Sequence, residues 1–376
     1  MKNLDEIRKK INETDAVLKN SFLERMNLVE QVYMYKKANN LPVKNKGREA
    51  EIIKNKTSDI GKFKDETAEF FKSMIEISCN YQDEMLSVPV KITEFSKYNT
   101  AEFDSKVKNV CYQGIKGSYS YEAASERFGG KNIFSVNSFA DVFDSVEKGD
   151  ADVGVLPIEN LCAGSIYDVY DLLSDHDVYI SDCLLINIDH CLAGTGRLSD
   201  VKNVVSHRKA LEQCKRFIES NKYKTSESIN TAVAAQKAAE AKDPASAVVC
   251  SKAAAEIYGL NILDDDICDI SHNKTKFVFI SKKPVMLENA NAVSILFELQ
   301  HESGSLARVL NNFSKHNINL TKIESRPTPN DEWKYRFFVD LEMPGFDVGA
   351  YFAKIRYMFD GFKVLGIYNN CREEGI

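Results

Sequence analysis

Leu4, Ile7, Ile11, Leu18, Phe22 and Val29 recur at helical spacing through a stretch, 4–38, that holds neither proline nor glycine. This predicts one helix of roughly 50 Å at 1.5 Å per residue. That is long for the small unit it opens, so its apolar stripe calls for a second subunit. Beyond the Leu41-Pro42 break, the pattern predicts a short helix near 47–56 and a third over 62–86. The polar stretch 87–108 reads as a linker. Strand and helix patterns then alternate. Strands are expected at 109–112, 132–136, 151–157, 178–186, 201–205, 247–250 and 275–280. Helices are expected at 120–128, 138–148 and the Ala-rich 231–242. The alternation predicts an α/β fold with largely parallel sheets and two lobes around a cleft. After a second linker at 282–291, the order is β-α-β-β-α-β. Its strands are expected at 292–299, 318–324, 333–341 and 362–368, and its helices at 305–316 and 348–358. This is a ferredoxin-like α+β unit. The fold class is therefore multidomain: all-α, two-lobed α/β, then α+β.

Composition narrows the function. The 376 residues are 44% hydrophobic and 28% charged, the balance of a soluble globular protein. A net charge of −6 gives no global attraction to nucleic acid or anionic lipid, although a local site for a small anion needs only a few cations. Nine widely spaced Cys with no CxxC read as free thiols in a reducing cytosol, not as a disulfide framework or zinc site. The polar start at 1–10 is no signal peptide, and no apolar run approaches the ~20 residues of a membrane helix. The expectation is a cytoplasmic protein without membrane or nucleic-acid partners.

Cations on the apolar face of the first unit are the first sign of chemistry. With Arg8 at zero and about 100° per residue, the stripe of the long helix centres near −60°, with Arg25 at about −100° and Lys36 at about −80°. Ser78 and Gln82 lie one turn apart among Phe71, Met74, Ile75, Tyr81 and Met85. Each has a structural use available. Lys36 can snorkel, Arg25 can pair with a partner's acid, and Ser78 can bond its own helix. Together they ask for an anion, most simply a carboxylate.

The run Leu4-Asp5-Glu6-Ile7-Arg8-Lys9-Lys10-Ile11, then Asp15, Glu24-Arg25, Lys36, Arg48-Glu49 and Ile75-Glu76-Ile77-Ser78 with Gln82, resembles the helical chorismate mutase domain of the P-protein family over about 1–88. That resemblance implies an intertwined dimer. Arg8, Arg25 and Arg48 would clamp the substrate, Lys36 and Gln82 would bond its ether oxygen, Glu49 its hydroxyl, and Ser78 would also touch it. Asn45 stands where the family often has Asp. A Claisen rearrangement needs a held conformer and stabilisation of the charge growing on oxygen, with no nucleophile or metal.

In the middle unit, Gln113-Gly114-Ile115-Lys116-Gly117-Ser118-Tyr119-Ser120 joins a strand to a helix, where backbone N–H groups can cradle an anion. The segment alone fits a plain turn equally well. With Pro157-Ile158-Glu159-Asn160, Asp168-Val169-Tyr170-Asp171-Leu172-Leu173, Ser206-His207, Asn230-Thr231-Ala232 and Thr275-Lys276-Phe277, it resembles prephenate dehydratase over about 107–282. The resemblance implies two lobes like those of type II periplasmic binding proteins, with the site in the cleft. Thr275 would serve the leaving hydroxyl. Lys276, where the family usually has Arg, and Phe277 would join it. Ser118, Glu159, Asn160, His207 and Thr231 are candidate substrate contacts.

Gly304-Ser305-Leu306, Asn319-Leu320 and Glu324-Ser325-Arg326-Pro327 resemble the ACT domain of P-proteins over about 292–370. This implies a phenylalanine site on Gly304, Ser305, Leu306, Asn319, Leu320, Glu324, Ser325 and Arg326. The single Trp, Trp333, lies close enough to that motif to serve as a reporter. The combined expectation is a homodimer or tetramer that turns chorismate into prephenate and prephenate into phenylpyruvate under phenylalanine feedback, with no redox or metal cofactor. Two other readings remain open. One is a monofunctional dehydratase with a non-catalytic helical arm, the other a non-enzymatic amino-acid sensor.

Overall fold

A computed structural model describes residues 3–86, 92–265, 267–270, 272–328 and 334–371. The chain forms two compact units, Met1–Lys91 with Ala350–Met358, and Ile92–Gly349 with Phe359–Ile376.

The first unit contains helices α1 (Leu4–Ala38), α2 (Lys46–Thr57) and α3 (Lys64–Leu86). The Asn3 side chain accepts the Asp5 amide at the start of α1, and Asp5, Glu6, Lys36 and Lys37 oppose the helix dipole at its two ends. Asn45 caps α2 by accepting the Arg48 amide at 3.0 Å, while Glu49 accepts the Asn45 amide at 3.1 Å. Near its C-terminal end α1 is tied to α3 through Tyr33, whose hydroxyl donates to the Met85 carbonyl at 2.9 Å. The N-terminal half of α1 leaves Leu4, Ile7, Ile11 and Leu18 exposed.

The second unit holds two main sheets. In the larger, dehydratase-like strands run in the order Tyr179–Asn187, Lys274–Ser281, Val153–Asn160, Asn109–Gln113, Asn132–Val136. The smaller runs Asn261–Asp264, His190–Gly194, Ser246–Ser251, Asn203–Ser206, Lys224–Glu227. The chain crosses between these lobes twice, after Tyr179–Asn187 and after Asn261–Asp264. The expected largely parallel sheets are in fact mixed. Lys274–Ser281 is antiparallel to both its neighbours, and His190–Gly194 is antiparallel to both of its own. A strand that returns from the other lobe re-enters the sheet in the opposite direction.

The last domain places its strands in the order Asn319–Pro327, Tyr335–Glu342, Ala292–Glu298, Phe362–Tyr368, each antiparallel to its neighbours, as the ferredoxin-like reading expects. Its edge strand then joins the dehydratase-like sheet, with Gly366 paired in parallel to Ile180. A Cβ at Gly366 would collide with the Ile180 carbonyl, so glycine permits this junction. The two expected linkers are also structured. Ser96–Tyr98 and Val285–Leu287 pair in parallel, and Thr100–Lys106 is a helix capped by Asn99. The two paired strands are only three residues long, so neither shows a period long enough to read.

Candidate active sites

In the first unit, α1 and α3 bring three of the expected residues together. Arg25 donates to the Ser78 hydroxyl and, at 3.5 Å, to the Met74 carbonyl. Ser78 donates to the Met74 carbonyl at 2.8 Å, and Gln82 Nε2 to the Ser78 carbonyl at 3.0 Å. Ser78 and Gln82 are each 4% exposed, and Gln82 Oε1 is buried without a hydrogen-bond partner. Burial lowers the pKa of Arg25, with Cys79 acting the other way. Lys36 donates to the Val43 carbonyl. Burial raises the Cys79 thiol pKa, as do Glu49 and Asp83, while Lys36 and Lys44 oppose them, so Lys36 and Glu49 both act on this neighbourhood.

Three residues named from sequence are engaged elsewhere. Arg8 is exposed beside Asp5, at 3.7 Å, and lies about 25 Å along α1 from Arg25 at 1.5 Å per residue. Arg48 is exposed and pairs with Glu51 at 2.8 Å. The Asn45 side chain caps α2. A single copy of the chain therefore assembles Arg25, Ser78 and Gln82, with Lys36 nearby, and leaves Arg8 and Arg48 outside.

Between the lobes of the second unit lies a cleft of about 380 Å³. Ser118, Asn160, His207, Thr231, Thr275 and Phe277, each named from sequence, line it. Ser118 caps the helix Tyr119–Phe128, and His207 caps Arg208–Gln213. Gly117 adopts φ +84°, and a Cβ there would press on the Ala254 backbone at 3.0 Å, so only glycine brings this turn so close to Ala254. At one wall Asn160 Nδ2 donates to Thr275 Oγ1 at 2.9 Å and to Asn273 Oδ1 at 2.9 Å. Asn160 Oδ1 accepts the amides of Cys162 at 3.1 Å and Ala163 at 2.8 Å. These bonds fix the amide, which leaves the Thr275 oxygen as an acceptor and its proton free.

Glu159 and Lys276 do not join them. They are register partners on adjacent strands and face the opposite side of the sheet from Asn160 and Thr275, because side chains alternate along a strand. There they line a second cavity, of about 460 Å³, beside the last domain. Lys276 lies 3.4 Å from the Tyr368 hydroxyl and 3.8 Å from Asp340, and Glu159 pairs with Lys322 at 3.1 Å. Burial alone lowers the Lys276 pKa, but Tyr368 and Asp340 more than offset it and leave it raised.

The cleft also holds Tyr119, His190 and Gln213, which sequence reasoning did not single out. Tyr119 stood inside the quoted glycine-turn motif, but His190 and Gln213 offered no local signal. As for metal ligands, Asp144, Glu147 and His176 cluster among the described residues. Glu147 already accepts from His176 at 2.9 Å and from the Asp177 amide, and Asp144 pairs with Lys148 at 2.7 Å.

In the last domain, Gly304 (φ +83°) precedes the helix Ser305–Lys315, which Ser305 steadies by donating to the Glu302 carbonyl at 3.0 Å. Asn319 bonds Glu342 at 2.7 Å. Leu306 and Leu320 are half-buried and Ser325 is exposed. Glu324 and Arg326 instead reach the dehydratase-like sheet and its flanking helix. Glu324 accepts from Ser165 at 2.6 Å, and Arg326 forks onto Asp171 at 3.1 and 2.6 Å. Trp333 lies outside the described residues.

Family models described as chorismate mutase type II, prephenate dehydratase and ACT domain match residues 7–83, 110–285 and 293–345. A bifunctional chorismate mutase/prephenate dehydratase of Aquifex aeolicus is 34% identical over 91% of this chain and 90% of its own. The prephenate dehydratase structure from Staphylococcus aureus is 29% identical over 69% of this chain and all of its own, with a TM-score of 0.62. That of a prephenate dehydratase in complex with L-Phe from Arthrobacter aurescens is 24% identical over 71% of this chain and 92% of its own, with a TM-score of 0.65.

Proposed function

Since the chain belongs to the bifunctional chorismate mutase/prephenate dehydratase family, we propose that its two reactions run at the two constellations described above, one in each compact unit. The chain is an enzyme with both activities, an isomerase and a lyase.

For the dehydratase, the Asn160–Thr275 hydrogen bond carries the argument. Conversion of prephenate to phenylpyruvate releases CO₂ and expels a hydroxyl that must acquire a proton. Aromatisation drives the step, so the protein's task is to hold the dianion and ease the departure of hydroxide. With its oxygen accepting from Asn160, Thr275 turns its proton toward the leaving group. A threonine is a poor acid at neutral pH, so it donates a hydrogen bond or relays a proton. Ser118 and Thr231, at the starts of the helices Tyr119–Phe128 and Thr231–Ala241, line the same cleft, and the positive ends of those helices suit a carboxylate.

For the mutase, the half-buried Arg25 and the buried Ser78 and Gln82, with nearby Lys36, suit a substrate carboxylate and ether oxygen, and the unpaired Gln82 Oε1 asks for a further partner. Arg8 reaches such a site only on a second copy. The exposed apolar stripe of α1 supports the same conclusion, an intertwined homodimer in which one copy's Arg8 completes the other's site. Phenylalanine binding by the last domain, with feedback on the dehydratase, is the regulatory part of this proposal. The setting we propose is the cytosol; no helix among the described residues is long and apolar enough to cross a membrane.

A coupled assay from chorismate to phenylpyruvate tests the whole scheme. Lys36→Ala is expected to stop chorismate conversion and spare prephenate turnover, and Thr275→Ala to do the reverse. Loss of both activities from either change, in a folded chain, overturns the two-site scheme.

A further inference from the structure

Three side chains form a line across the wall of the dehydratase cleft. Tyr119 begins the helix Tyr119–Phe128, His190 begins the strand His190–Gly194, and Gln213 ends the helix Arg208–Gln213. The Tyr119 hydroxyl lies 3.0 Å from His190 Nδ1, and His190 Nε2 lies 2.9 Å from Gln213 Oε1. The imidazole is 3% exposed and its ring is tilted against that of Tyr119, with centroids 5.8 Å apart.

This line of hydrogen bonds has a direction. An amide oxygen only accepts, so with Oε1 turned to the imidazole, the proton sits on Nε2. Nδ1 then carries a lone pair and accepts the hydrogen bond of the Tyr119 hydroxyl. Burial lowers the His190 pKa, which keeps the ring neutral. The opposite direction also closes. Tyr119 would then donate to the Asp189 carbonyl at 3.2 Å, His190 Nδ1 to Tyr119, and the Gln213 NH₂ to His190 Nε2. The two arrangements differ in what Gln213 shows to the cleft, NH₂ in the first and oxygen in the second. A dianionic substrate is attracted by the first and repelled by the second.

We infer that His190 is a positioning residue for the dehydratase: its Nε2–H pins the Gln213 amide oxygen and so turns the Gln213 NH₂ toward the substrate as a carboxylate donor. Tyr119 sets the tautomer by donating a hydrogen bond to Nδ1. The inference rests on the reading of this cleft as the prephenate site.

The test combines kinetics with a spectroscopic readout on the full-length chain. His190→Leu fills the space without either nitrogen. It is expected to raise the KM for prephenate about tenfold or more, the loss of one hydrogen bond to a charged group, and to lower kcat less. In His190→Gln the amide nitrogen reaches the place of Nε2 and recovers most of that loss. The shorter His190→Asn does not. A role in packing alone would not sort Gln from Asn in this way. With ¹⁵N-labelled histidine, one of the six imidazoles is expected as a neutral Nε2–H tautomer that disappears in His190→Leu.

A wild-type KM in His190→Leu, equal KM values in the Leu and Gln variants, or an Nδ1–H tautomer at His190 would each overturn the inference. Circular dichroism and the thermal unfolding midpoint of the same samples report that each variant is folded. A wild-type KM in Thr275→Val and Asn160→Ala as well, with kcat also unchanged, would overturn the reading of the cleft itself. That result is distinct from a failure confined to His190.

Discussion

Strand alternation decides which residues of a contiguous motif can act together. Thr275, Lys276 and Phe277 are consecutive, yet the first and third line the cleft and the second faces the last domain. The same holds for Asn160 and Glu159. The period of two was legible in the sequence and argues against listing neighbours on one strand as one site. By resemblance, Lys276 is a substrate contact, and Lys276→Gln is then expected to weaken prephenate binding by on the order of 1–3 kcal/mol. Its position now leads to a different expectation, a KM for prephenate unchanged by Lys276→Gln, with the loss falling on the Asp340 and Tyr368 contacts. Steady-state kinetics on that variant distinguishes the two. Thr275→Val, which keeps the shape and removes the hydroxyl, is expected to lower the dehydratase kcat by about 10²–10³-fold, the usual effect of deleting one donor to a developing negative charge. Chorismate turnover by the same sample should not change. His190 and Gln213 escaped sequence reading because their value lies in meeting each other, from a strand and a helix that no local pattern brings together.

At the scale of elements, helices and strands with a clear apolar period were legible to within about three residues at each end. The α1 span, 4–38, follows from an unbroken stripe with caps at both ends. The segments Ser96–Tyr98 and Val285–Leu287 were hidden because each is three residues long and gains its pairing only from the other. Sheet direction was hidden because it depends on which lobe a strand comes from. Gly366 shows how one residue sets an element's place. Its missing Cβ lets the last strand approach Ile180 and continue the sheet. Gly366→Ala is expected to cost about 1–3 kcal/mol, as overpacking does, seen as a lower midpoint in thermal or denaturant unfolding. An unchanged midpoint would mean that the junction gives way without cost. Along α1, Ile11→Glu and Leu18→Glu place charges on the exposed stripe. Sedimentation should show dissociation of the proposed dimer, and mutase activity should fall with it if Arg8 serves the other copy. A variant that stays dimeric and active would place the interface elsewhere.

For the whole molecule, the question is how an effector on the last domain could be felt in the cleft. The Glu324–Pro327 motif makes contacts that reach the cleft wall. Glu324 holds Ser165, and Ser165 belongs to the segment 163–166 that lines the cleft and whose first amide is bonded by Asn160. Arg326 holds Asp171 on the helix that follows. Asp171 is about half exposed, so this ion pair adds little to stability and its removal should leave the fold intact. Its value lies in coupling. If phenylalanine shifts the strand Asn319–Pro327, these contacts carry the shift to the wall that positions Asn160 and Thr275. Linkage then requires phenylalanine and a prephenate analogue to weaken each other by one common factor, about 5–150-fold in typical cases. Calorimetric titration of each ligand with and without the other measures that factor from both sides. In a Ser165→Ala/Asp171→Asn double variant, phenylalanine should still bind, the two affinities should become independent, and inhibition of prephenate turnover should fall away. Undiminished coupling in that variant would mean that the signal reaches the cleft by another route, such as the Lys276–Asp340 side of the same sheet. No phenylalanine binding by the wild-type chain would remove the regulatory proposal altogether.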